Sequence, residues 1–572
     1  MNFFQRSVNQ RSLLIGLSLI PAAAIVGLLL ILLCISFRIE GETGIVHGIE
    51  AYYSLYADPF VYRTLLNTAI FSLATVVTAL LFGIPAAWLV ERTNLPRKEL
   101  PFTLMTLGLL IPGFLSAMGW VFLLHPRIGL VNVLLGNIPG MAWVRINIAS
   151  PLGMGFVEGL ALAPLAFIMV AATFRATNSE LEEAAAVHGM GLVRSLARIT
   201  LPVAFPGILA AGIYILTIGI AAFEVPAIIG LSNRVFTFST FLYIQVNPQQ
   251  GLPRYDLAAA FGVLMTVIAG LLSWWYFHVL RQGHRYAVVT GRAYRPKLVE
   301  LGPRGMWLAW GFLSSYFLLG QILPLLTLLW SSLLRYFQLP SASALAQVSL
   351  SNYRALPWPY LRDGLWNTAI LMASVPTLVL VVSLVIAWVV VRSGVRGRSV
   401  LDGIAFLPHA VPNIIFALSA AYASLSLLRG VVPIYGTLFL LMATYVLVRV
   451  SFGTRVLNSA IAQIHRELEE AGQVMGITLL RRIGWILLPL LRPALVNAWL
   501  WMALLTYREL TIASLLVTPA NVTLPMVIWG LWLNGTFSQA AAGATMGLLL
   551  MSPLIFLYWY LTKRVTAEGW QT

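Results

Sequence analysis

Two stretches of the sequence carry the same acidic, glycine and proline residues at the same spacings, a combination suited to docking a partner rather than making bonds. The first reads E-E-A-A-A-V-H-G-M-G-L-V-R-S-L-A-R-I-T-L-P from Glu182 to Pro202, and the second E-E-A-G-Q-V-M-G-I-T-L-L-R-R-I-G-W-I-L-L-P from Glu469 to Pro489. Glu183, Ala184, Gly189, Ile199, Leu201 and Pro202 correspond one for one to Glu470, Ala471, Gly476, Ile486, Leu488 and Pro489. Each stretch predicts two short helices joined at a glycine, because Gly189 and Gly476 can take the positive φ of a sharp turn. Ser179 followed by Glu182 fits a capping box on the first helix, whereas Arg466 stands at the matching cap position of the second stretch. After the turn, Leu192, Leu196 and Ile199, and in the other stretch Leu479, Ile483 and Ile486, make an apolar stripe at helical spacing. Arg194 and Arg198, or Arg481 and Arg482, lie beside it, and Pro202 and Pro489 are expected to break the helix before the next apolar run. One such loop could simply fill space between spans; its duplication, spacing for spacing, argues for a task performed twice. The copies differ where Gly472 replaces Ala185, which is expected to loosen the second loop's first helix by about 1 kcal/mol.

A second set of residues stands out by its cost. Glu224, in Phe223-Glu224-Val225-Pro226, and Arg508 and Glu509, in Tyr507-Arg508-Glu509-Leu510, close corresponding apolar runs, where a charge inside a bilayer is expensive and marks a functional position. They are expected to face a pathway or the interface between two halves; bracing of packed helices, or a seat in the outer headgroup region, fits equally well. Arg449 is expected to snorkel to an interface, and His188 and His409 to be packing residues. No G-x-x-x-x-G-K-[ST] phosphate loop occurs, so any nucleotide chemistry falls to a separate protein, and no catalytic residue is assigned. Cys34 is the single cysteine, which excludes an intrachain disulfide and a cysteine metal site, and no metal-ligand cluster is visible.

The elements that hold these residues are membrane helices. Of 572 residues 59% are hydrophobic and 10% charged, against about 25% charged in soluble domains. Continuous apolar runs rich in Leu, Ala, Ile and Gly exclude a barrel and predict an all-α polytopic protein of about twelve spans. They lie near 13–35, 64–90, 101–124, 152–174, 206–230, 257–280, 307–333, 365–391, 400–428, 433–454, 494–517 and 541–562. The first run could pass for a signal peptide but is expected to be a retained helix. The net charge of +16 is scattered over short loops, which points to topology rather than nucleic acid, and the distribution of Lys and Arg places both termini in the cytoplasm.

The chain repeats itself. Asn67-Thr68-Ala69 returns 300 positions later as Asn367-Thr368-Ala369, Ala87-Trp88 as Ala387-Trp388 and Pro112 as Pro412. From the docking stretches onward the offset is 287, the difference being a longer outer loop around Pro126 to Pro151. Two parallel six-helix repeats follow, 1–280 and 307–572, joined by a basic linker, 281–306, with docking loops at about 176–205 and 463–493.

The spacing of the two loops resembles the EAA loop of binding-protein-dependent importers of the ATP-binding cassette (ABC) class, and the chain resembles their permease subunits over nearly its full length, in fused two-half form. The resemblance implies a type I importer permease fold, in which each loop sits in a cleft on one ATPase subunit. It makes Glu183 and Glu470 polar anchors and has Gly189 and Gly476 shape the turns, while Gly472 departs from the usual Ala. It also implies two ATPase copies carrying ATP and Mg, an extracytoplasmic binding protein, no cofactor in this chain, and residence in a bacterial inner membrane. The layout, with R-E-L-T-I-A-S-L-L from Arg508 to Leu516, is most similar to ferric iron permeases; thiamine, polyamine and phosphonate permeases are the neighbouring groups.

Two other classes compete. An ion-gradient-driven secondary transporter could also have twelve spans in parallel halves and would use Glu224 and Glu509 as ion sites; a membrane scaffold would tolerate charge reversal at Glu183 and Glu470.

Overall fold

The computed structural model describes residues 2–41, 44–126, 129–141, 143–177, 180–248, 250–283 and 298–571. Most of the basic linker therefore lies outside the described residues, as does Ser179 of the expected capping box. The described chain is helical apart from a two-stranded hairpin, Arg38–Gly41 with Gly44–His47.

Among the described residues ten helices are long and apolar enough to cross a membrane. Two of the expected spans are broken: Glu99–Gly108 and Gly113–Leu124 meet at 94°, and Arg398–Ala410 and Asn413–Leu427 at 99°. Pro112 and Pro412 cause both breaks, sitting extended at ψ 132 just before the second segment, where a residue without an N–H costs no helical hydrogen bond. The ten helices and these two bent spans account for the twelve expected. A third bent pair, Pro226–Asn233 with Phe238–Val246 at 67°, is additional. The span expected at 206–230 ends at Ala221, and that expected at 494–517 ends at Tyr507; Arg508 and Glu509 then lie in irregular backbone, while Glu224 opens the next short helical segment.

The internal repeat is visible atom by atom. Asn67 Nδ2 donates to Phe236 O at 3.1 Å and Asn367 Nδ2 to Val522 O at 2.9 Å. Thr68 and Thr368 each accept a backbone N–H through Oγ1 at 2.9 Å, from Phe238 and Leu524. The crossing of Pro59–Arg92 on Pro151–Ala176 needs a small residue, because a Cβ on Gly83 would lie 2.5 Å from that of Ala166. In the second repeat the glycine changes sides, with Ser383 facing Gly453. Close approach through small residues is how membrane helices gain dispersion contacts where lipid offers no hydrophobic drive.

The two halves are not separate bodies. One apolar core runs through both. The helical run Gly302–Ser332, which opens the second half, packs on the first: Tyr316 Oη donates to Leu160 O (3.1 Å), Gln321 Nε2 to Leu104 O (3.2 Å) and Thr327 Oγ1 to Gly119 O (3.2 Å). The opening helix Asn2–Ser36 reaches the second half in return, where Arg11 donates to Ser393 O.

Candidate functional site

The docking stretches fold as helix, turn and helix. Glu180–Val187 is followed by a turn at Gly189, φ +74°, and Glu467–Val474 by one at Gly476, φ +76°. The turns close through Met190 N to Ala185 O (3.0 Å) and Ile477 N to Gly472 O (2.9 Å). The second helices begin at Leu192 and Leu479. The side chain of Leu192 lies outside the described residues; Leu479 and Ile483 are buried.

Pro202 and Pro489 do not break these helices as expected. The chain runs on to Ala221 and Tyr507, because the five residues before each proline's helix, Leu196–Thr200 and Ile483–Leu487, widen into a π turn. There Leu201 N bonds Leu196 O and Leu488 N bonds Ile483 O, one residue further back than in an α-helix. The wider turn moves the carbonyl four residues before the proline away from its ring.

A buried arginine ties each loop to its own half. Arg392 Nε meets Glu469 Oε1 at 2.7 Å, and its Nη2 donates to Ile461 O (2.9 Å) and Ile464 O (2.6 Å). Arg92 occupies the same place 300 positions earlier: Nη2 donates to Thr177 O (2.8 Å) and Thr177 Oγ1 (2.7 Å), while Nε stands 3.9 Å from Glu182 Oε1. The acidic pairs thus divide their work. Glu182 and Glu469 turn inward to the arginines; Glu470 is exposed and Glu183 half-buried on the loop surface. Ala184 and Ala471 are exposed, and Ala185 and Gly472 are buried against the second helix. Leu181, Val187, Leu468 and Val474 add exposed apolar side chains at matched positions.

Sequence reasoning passed over the arginines, although Arg92 and Arg392 share the offset of the Asn-Thr-Ala repeat. The backbone at or next to each arginine also meets a segment that leads into the other half. Val299 N donates to Arg92 O at 2.9 Å and Asn94 N to Val299 O at 3.0 Å; Leu480 N donates to Gln10 Oε1 at 3.3 Å beside the Arg11–Ser393 contact.

A cavity of about 520 Å³ opens between the halves. Its walls pair residues at the repeat offsets: Leu109 with His409, Leu165 with Phe452, Tyr214 with Trp501, Ile218 with Leu505. This places it on the pseudo-twofold axis. The charges it holds do not follow that symmetry. Glu224, Arg508 and Glu509 all line it, but Ala221 and Ala222, not Glu224, stand 287 positions before Arg508 and Glu509.

Arg508 reaches across the halves, donating to Leu109 O at 2.7 Å and lying 3.9 Å from Glu224 Oε2. Phe114 N donates to the same Glu224 oxygen at 3.0 Å, a carboxylate at a helix N-terminus. Glu509 accepts from Arg449 Nη2 at 2.9 Å and from Ile512 N at 3.2 Å. Arg449 therefore does not snorkel: it is buried and paired across helices, a contact that local sequence cannot reveal. His409 packs as expected, stacked on Tyr214 with centroids 5.3 Å apart. Glu158, a further carboxylate in the wall, was missed, although an acid inside an apolar run is itself a signal.

Two matched repeats around an axial cavity, with a matched loop on each, define the class as a fused two-repeat polytopic membrane protein. No family model matches the chain. Its relatives narrow the class. It is 24% identical over 90% of its length to the Fe(3+)-transport system permease protein FbpB 2 of Haemophilus influenzae, covering 92% of that protein. It is 23% identical over 92% of its length to the ferric transport system permease protein FbpB of Actinobacillus pleuropneumoniae, covering 74%. The putrescine permease PotI of Escherichia coli matches at 28% over 36% of this chain and 76% of its own. A solved bacterial alginate importer aligns with 43% of the chain and 85% of its own at 23% identity and a TM-score of 0.32.

Proposed function

We propose that the chain is the membrane subunit of an ATP-driven importer of ferric iron in a bacterial inner membrane, with both termini cytoplasmic. An extracytoplasmic binding protein delivers the cargo to the outer face. Two copies of a separate ATPase, carrying ATP and Mg, dock on Glu180–Val187 and Glu467–Val474 and their neighbouring turns. The observation that carries the reading is the pair of Arg–Glu ties. A force on either docking helix passes through Glu182 or Glu469 to Arg92 or Arg392, the last residue of a long helix in the same half. Closure of two cassettes would then rock the halves about the axial cavity, alternating its access between the two sides.

Support for iron comes from the ferric permeases that match nearly the whole chain. The half-length likeness to a putrescine permease leaves polyamine as the competing cargo. The test is uptake of radioactive Fe(III) by cells holding this chain, its ATPase and its binding protein. Uptake that survives collapse of ion gradients while ATP is maintained supports the reading; uptake that follows the gradient and ignores ATP overturns it. A lack of iron uptake alongside ATP-driven uptake of another solute removes iron alone.

A further inference from the structure

The five charges in the axial cavity are unequally engaged. Arg449 Nη2 and Glu509 Oε2 pair at 2.9 Å. Arg508 is shared between the Leu109 carbonyl and Glu224. Glu158 is nine-tenths buried, lines the cavity, and has no hydrogen bond or ion pair among the described residues. Three carboxylates against two guanidinium groups leave one carboxylate without a basic partner, and it is Glu158. A buried carboxylate without a partner is costly unless something arrives to pair with it.

The structure also limits what can arrive. Among the described residues no three His, Cys, Asp or Glu side chains converge on a position that could hold a metal ion. The cavity's described residues therefore offer too few donors to strip a hard cation of its ligands. The space compensates. About 520 Å³, at roughly 30 Å³ per water, holds on the order of fifteen waters, enough for a metal ion with its inner shell intact. Gly113 keeps Glu224 within the cavity wall, since a Cβ there would lie 2.7 Å from its Oε2.

We propose that Glu158 and Glu224 form a transit site for a hard, multivalent cation that keeps its own water or chelator shell, and that the arriving cation competes with Arg508 for Glu224. The site holds the cation through its shell, by hydrogen bonds and charge. Displacing Arg508 from Glu224 loosens a contact that joins the two halves across the axis, so occupancy and rocking are linked. This rests on the importer reading for its direction of transport; the binding chemistry stands without it.

The test uses the full chain purified in detergent and Tb(III), a hard trivalent probe excited through aromatic side chains such as Tyr214 and Trp501, both in the cavity wall. Glu158→Gln is expected to weaken Tb(III) binding about tenfold, Glu158→Asp to restore most of it, and Arg508→Gln to tighten it several-fold. Asp363→Asn, on an exposed helix position, is the surface control and is expected to change nothing. Luminescence lifetimes in H2O and D2O should report several retained waters. The thermal midpoint of Glu158→Gln should be no lower than that of the unaltered chain, since no bond is removed and an unpaired buried carboxylate is. Absence of Tb(III) binding by the unaltered chain, equal binding by Glu158→Gln, or a probe stripped of water overturns the proposal. Radioactive Fe(III) uptake is measured in parallel. Tb(III) binding that depends on Glu158, with no iron uptake, keeps the site and rejects the cargo; iron uptake unaffected by Glu158→Gln keeps the cargo and rejects the site.

Discussion

The two loops proposed to dock the ATPase share one design and differ in fit. Both have an inward Glu on a buried Arg, a positive-φ glycine and a π turn before the proline. In the second loop the Arg–Glu distance is 2.7 Å, whereas in the first it is 3.9 Å and Arg92 Nε has no hydrogen-bond partner. Gly472 explains part of the contrast. A Cβ there would lie 2.8 Å from Ile486 Cδ1, so its absence lets the second helix close in. Arg482 then reaches back to Glu469 O at 3.2 Å and Gln473 Oε1 at 3.0 Å. The glycine expected from propensity to loosen this loop instead permits its closer packing. The lesson is that helix propensity and inter-helix contact compete at one atom, and here contact prevails.

The largest test of this contrast removes the arginines. Arg392→Ala strands Glu469 in a buried site and should destabilise the purified chain by about 3–5 kcal/mol, the cost of breaking a buried pair. Arg92→Ala loses a longer ion pair and hydrogen bonds to Thr177, and should cost about 1–3 kcal/mol. Denaturant unfolding in detergent measures both, and equal losses would erase the proposed asymmetry.

The turn glycines should behave alike, because both sit near φ +75° with open space where a Cβ would go. Gly189→Ala and Gly476→Ala are each expected to cost about 1–2 kcal/mol from left-handed backbone strain alone. A large difference between them would place the asymmetry in the turns rather than in the ties.

The smallest effect is at the replaced position. Ala185→Gly should cost about 1 kcal/mol in helix propensity. Gly472→Ala should gain that propensity but push Ile486 aside, for a net loss within about 1 kcal/mol. Its clearer sign would be a weakened Arg482 contact, read as faster amide exchange at Ile477 and its neighbours.

Most of the architecture was legible because it is written locally. Apolar runs mark the spans, the 300 and 287 offsets mark the repeat, and the Glu-Gly-Pro spacing marks the loops. What escaped was long-range. Arg449 meets Glu509 only after two helices pack, and Glu158 lines the cavity beside a helix side on which Gly155 and Gly159 let Phe71, Ala74 and Thr78 come close. The swapped first helices were equally hidden, since a repeat in sequence does not say which half each copy packs against. Pro202 and Pro489 misled because the π turn that accommodates them depends on the backbone ahead of them, with no residue type that announces it.

On the proposed function, one chain offers two docking loops to two ATPase subunits. Native mass spectrometry of the complex, made with Glu183→Lys, Glu470→Lys and both together, tests it most directly. The account predicts two ATPase copies on the unaltered chain, one on either single variant and none on the double, with the two single variants differing in residual affinity. A single ATPase copy on the unaltered chain, or two copies retained by the double variant, would contradict it.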